Sequence, residues 1–74
     1  MGRLIRLDRT GHTTLAEWTF GDEVAAQRAQ EVFALERERG LIASATLADG
    51  SAEVVRELLV DAELVTLRRP IVGG

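Results

Sequence analysis

One stretch restricts the possible folds more than any other: Asp22 to Gly40, DEVAAQRAQEVFALERERG. Val24, Ala25, Ala29, Val32, Phe33 and Leu35 recur at spacings of three, four and seven on one broad side. Gln27, Gln30, Glu31, Arg37 and Glu38 fall mostly on the other. That periodicity predicts an amphipathic helix. Asp22 is placed to cap its first turn, and Glu23 adds favourable negative charge there. Gly40, just after Arg37 and Arg39, suits the left-handed residue that ends a helix. No other segment has this pattern. A lone helix with one apolar side must bury it against an element of a different kind.

The remaining segments read as strands. Arg3 to Asp8 alternates weakly, with Ile5 and Leu7 on one face and Leu4, Arg6 and Asp8 on the other. Arg9 to Thr13 is polar around a central glycine and suits a hairpin turn. Thr14 to Phe20 follows, with Ala16, Trp18 and Phe20 sharing a face. Beyond the helix, Leu41 to Ala48 sets Leu41, Ala43, Ala45 and Leu47 opposite Ile42, Ser44 and Thr46. Small residues on the first face let a helix approach closely. Asp49-Gly50 signals a turn. Ala52 to Val60 reads as a fourth strand, although VVRELL within it also fits one helical turn. Asp61 to Glu63 turns the chain into a last strand, Leu64 to about Arg69.

The expected class is therefore α+β: a mixed sheet in the order ββαβββ with one helix across one face. A crossover through the helix sets the strands on either side of it parallel. In the compact arrangement the first and last strands lie side by side at the sheet centre. Leu4 and Ile42, opposite the core phase, are expected to form a shallow apolar patch on the open face of the sheet.

Composition narrows the function. The chain has 74 residues, enough for one small core. It contains no cysteine, which excludes a disulfide, a thiolate nucleophile and a thiolate-ligated metal. No apolar run approaches the length of a signal peptide core or a membrane span, so the expected location is cytoplasmic. Net charge is −3 and the basic residues are scattered along the sequence, which argues against a nucleic-acid surface. All nine are arginine, as GC-rich coding favours. With no lysine, only the N-terminal amine is available as an acyl acceptor. His12, the single histidine, lies in a turn without a metal-site companion. Trp18 and Phe33 sit on the apolar faces of their segments and read as core.

The end of the chain, LVTLRRPIVGG, carries the functional argument. Pro70 removes a ladder donor and ends the last strand, leaving residues 70–74 as an extended tail on a domain of residues 1–69. Gly73 and Gly74 have no side chain and can enter a channel too narrow for any other residue. A frayed terminus has the same letters.

In its order of elements the chain resembles the ubiquitin-like superfamily, including the sulfur carriers of the MoaD and ThiS type. The fold shared by these proteins is the β-grasp. Asp61-Ala62-Glu63-Leu64-Val65-Thr66-Leu67 resembles the acidic turn and last strand of MoaD-like carriers. Arg69-Pro70-Ile71-Val72-Gly73-Gly74 is similar to their diglycine-terminated tail, and Arg68-Arg69 to the arginine-bearing tail of ubiquitin. One proline stands where the carriers often show two. The resemblance implies a substrate and carrier rather than an enzyme. An activating enzyme holding ATP and Mg²⁺ would adenylate the Gly74 carboxylate, with no cofactor resident in this chain. Gly73 and Gly74 would thread that partner's channel, and Pro70, Ile71 and Val72 would hold the tail extended. Arg68 and Arg69 would meet acidic groups at the channel mouth. The acyl group would pass to a conjugation target as an amide, or to sulfide as a thiocarboxylate. The rival expectation is a non-enzymatic interaction module, an adaptor or phage structural subunit, with an inert tail. It would bind through the open sheet face or a strand edge.

Overall fold

The computed structural model describes residues 1–70. It is a small α+β domain of one helix and a five-stranded mixed sheet: β1 (Gly2–Asp8), β2 (Gly11–Trp18), α1 (Glu23–Glu38), β3 (Ile42–Thr46), β4 (Ala52–Val55) and β5 (Leu64–Arg68).

The helix forms where its signals stand. The Asp22 carboxylate accepts from the Ala25 backbone N–H at 3.1 Å, satisfying one of the free donors of the first turn. At the other end Gly40 takes φ of 88°, and its N–H donates to Arg37 O at 2.9 Å. A side chain would be strained in that conformation, so the helix stops there. The buried stripe is narrower than the sequence pattern indicates. Ala29, Phe33 and Glu36 are buried, whereas Val24 and Leu35 are 65% and 62% exposed. Positions 29, 33 and 36 follow the spacing of a single seam, and Val24 and Leu35 lie outside it.

The strands run in the order β2-β1-β5-β3-β4. β1 and β5 pair in parallel at the centre, with Leu4 beside Val65 and Arg6 beside Leu67. β3 runs antiparallel to β5, and β4 antiparallel to β3. With β2 antiparallel to β1, the strands flanking the helix therefore point the same way. Leu4, Val65, Leu67, Ala43 and Ala45 form the sheet side of the core beneath Phe33 and Ala29. The alanines of β3 leave room for the helix, as their size predicts.

Three sequence expectations change. Leu4 is fully buried under the helix, not on the open face. A bulge in the β1–β2 ladder, where Leu4 faces Ala16 and Ile5 faces Thr14, leaves Leu15 without an opposite residue. Gly2, Leu4 and Arg6 point to the helix side, and Ile5 and Leu7 to the open side. Adjacent apolar residues at 4 and 5 hid this phase. β2 also begins earlier and ends at Trp18, with Phe20 beyond it and exposed. The fourth strand stops at Val55 rather than Val60. Its remaining apolar residues serve a different purpose: Leu58 and Ala62 turn inward and are buried in the core.

Candidate functional site

β5 brings the candidate residues together at one end of the sheet. Arg68 closes the strand opposite Ile42 of β3, and Arg68, Arg69 and Pro70 are exposed. Pro70 lies outside the strand, consistent with its missing N–H. Ile71, Val72, Gly73 and Gly74 lie outside the described residues.

The surroundings of that end were not legible from spacing. Arg6 of β1 reaches under the helix, its guanidinium 3.1 Å from Glu36 Oε1. Arg39 approaches the same oxygen at 3.7 Å. The second Glu36 oxygen is buried and has no hydrogen-bond partner among the described residues. Arg37 donates to the carbonyl of Leu41 at 2.9 Å, joining the end of the helix to the start of β3. In the sequence Glu36 looks like one more charge on a mixed helix face. The signal available was its place three residues after Phe33 and seven after Ala29, on the buried seam.

The open face of the sheet carries a second grouping. By register, Ile5, Leu7, Leu64, Thr66, Arg68, Ile42 and Ser44 share it. Leu7 is 43% exposed, Ile42 is half-buried, and Val54 of the edge strand β4 is 71% exposed. Ile42 is on that face as expected, but Leu7 and Ile5, the latter only 9% exposed, stand where Leu4 was placed. Arg3 and Glu17 pair across the same face at 3.4 Å.

His12 is exposed in β2, and among the described residues no group of three or more His, Cys, Asp or Glu side chains is placed to hold a metal ion. No helix of the described residues is long and apolar enough to cross a membrane. No protein-family model, no curated protein and no solved structure matches this chain.

Proposed function

We propose that the chain is a β-grasp protein that acts through the carboxylate of Gly74, as a cytoplasmic protein modifier or sulfur carrier. The observation supporting this reading is the position of β5. It is the central strand, paired on both sides, and it finishes at an exposed Arg68-Arg69-Pro70. The chain thus leaves the middle of the sheet, rather than an edge, on its approach to residues 71–74. The pairing of the first and last strands at the sheet centre is also what the β-grasp resemblance implies.

The chemistry belongs to the partner. A Gly74 carboxylate oxygen attacks the α-phosphorus of ATP and releases pyrophosphate, giving an acyl adenylate. A thiolate or sulfide then displaces AMP, which forms a thioester or a thiocarboxylate. A target amine displacing the thiol from the thioester completes an amide. Arg68 and Arg69 are placed to hold the tail at the channel mouth by charge-assisted hydrogen bonds.

Intact mass after incubation with a cognate adenylating enzyme, ATP and either sulfide or target protein tests the reading. A thiocarboxylate marks a carrier and an amide conjugate a modifier. Deleting Gly74 is expected to abolish both adducts while leaving the melting temperature unchanged. Adducts that persist in the deletion variant, or a mature chain extending past Gly74, overturn it. The open-face grouping of Ile5, Leu7, Ile42 and Val54 favours one alternative, a binding module with no use for its tail. Partner binding that survives removal of Gly73 and Gly74 supports that alternative.

A further inference from the structure

The arginines that look scattered in the sequence are gathered by the topology. Arg6 and Arg9 belong to the end of β1 and its turn, level with Leu67. The helix runs back from the far end of β2, so Arg37 and Arg39 arrive at the same end, where Glu36 touches Arg6. Arg56 follows Val55, which faces Ala43, and so lies level with Ile42 and Arg68. With Arg68 and Arg69, seven of the nine arginines surround the point where β5 finishes. Among the described residues, only the side chains of Asp8, Glu36, Glu38 and Glu57 accompany them, leaving a formal side-chain charge of +3. The rest of the molecule holds Arg3 and Arg28 against eight carboxylates, a formal charge of −6. Much of that charge lies at the far end, in Asp22 and Glu23 of the helix start, Asp49 of the β3–β4 turn, and Asp61 and Glu63 before β5.

We propose that the end of the molecule around Arg68 is a docking surface for an acidic protein surface, and that the opposed charge of the two ends orients the chain so that β5 approaches first. A net charge of −3 repels an acidic partner from most directions. Only this end attracts one, and a separation of charge along the molecule turns it during approach. The interspersed Asp8, Glu38 and Glu57 disfavour a continuous polyanion such as nucleic acid, whose phosphates leave no gap for them. A protein surface can place its own arginine or lysine against those three. The partner's role rests on the reading of the Gly74 tail given above; the binding itself does not.

Decaglutamate is a suitable probe, with amide chemical shifts of the full chain as readout. At about 20 mM salt it is expected to shift amides near Asp8–Gly11, Glu38–Leu41, Arg56 and Arg68, and to lose this effect at about 0.5 M, where screening acts over a few ångströms. Reversing three exposed charges, Arg9→Glu, Arg39→Glu and Arg68→Glu, is expected to weaken binding by about tenfold or more. Removing Gly73 and Gly74 is expected to leave it unchanged, so loss of adduct chemistry and loss of docking are separately visible. Shifts spread equally over both ends, no binding at low salt, or an unaffected triple variant that retains its fold would overturn the proposal. So would tighter binding of a single-stranded oligonucleotide than of decaglutamate. Sedimentation as a salt-sensitive oligomer without the probe would also overturn it, since the acidic end of a second copy would then be the occupant.

Discussion

The two ends of the helix are closed by different physics. Where α1 begins, the Trp18 indole lies over Gly2, so closely that a Cβ at residue 2 would overlap the ring. Its Nε1 donates to Val60 O at 2.7 Å. Where α1 finishes, the closure is Arg6 against Glu36, with Arg39 at the rim and one carboxylate oxygen unpartnered among the described residues. Burial of an aromatic ring with its polar atom satisfied is strongly stabilising. A part-buried ion pair is close to neutral, because desolvation offsets the attraction. The apolar end therefore supplies stability, while the charged end, which also carries the exit of β5, is specified without being strongly held.

Trp18→Ala is the most severe way to break this contrast. Removing a buried ring costs about 3–5 kcal/mol, against a total of roughly 4–11 kcal/mol for a chain of this size. Urea unfolding at 25 °C is expected to show a stability about 3–5 kcal/mol below that of the parent. Trp18→Phe keeps most of the apolar area, loses the hydrogen bond to Val60 and is expected to cost about 1–2 kcal/mol. A Trp18→Ala protein as stable as the parent would mean that the indole seals nothing.

At the other end Glu36→Ala sharpens the comparison. Truncating one partner of a fully buried pair costs about 3–5 kcal/mol, and an exposed pair is worth at most about 1. Arg6 is about one-third exposed and retains water, so about 1–2 kcal/mol is expected here. Replacing both, Arg6→Met with Glu36→Leu, is expected to recover stability to within about 1 kcal/mol of the parent. Denaturant midpoints of the two singles and the double give the coupling directly. If Glu36→Ala costs as much as Trp18→Ala, the two ends do not differ as described.

The same division explains what sequence reasoning reached. The helix, its Asp22 cap and its Gly40 stop are local events, and they were legible as such. So was β5, whose Val65 and Leu67 alternate cleanly with Thr66 and Arg68. The central pairing of β1 with β5 followed from having one helix and too few ways to cover it. The phase of β1 did not follow, because Leu4 and Ile5 are both apolar and alternation alone does not say which one faces the helix. Leu58 was read as strand and Ala62 as turn, because burial without pairing has no periodicity. Glu36 was missed because a carboxylate on the core seam makes sense only once Arg6 lies beneath it. The clustering of arginines at the exit of β5 is a property of topology, so a linear reading sees them dispersed.

One feature is common to both ends, and it predicts a small, matched effect. Asp8 Oδ1 accepts from the N–H and hydroxyl of Thr10 at 2.8 and 2.7 Å, and Asp49 Oδ1 from those of Ser51 at 2.8 and 2.6 Å. These bonds favour the charged carboxylate and hold both groups below the ordinary aspartate range, the hydroxyl being the larger cause in each. A carboxylate with a lowered folded-state value stabilises the fold above its unfolded value and loses that contribution as pH falls through the folded one. Both turns should therefore weaken only in strong acid, below the point where free aspartate protonates, and to a similar degree. Carboxyl ¹³C shifts followed from pH 5 to pH 2 measure this, with Thr10→Ala and Ser51→Ala as the paired variants. Each substitution should raise its own aspartate and leave the other in place. A change at Asp8 that also moved Asp49 would mean that the ends are coupled through the sheet, and that the charged end is not the loosely held one.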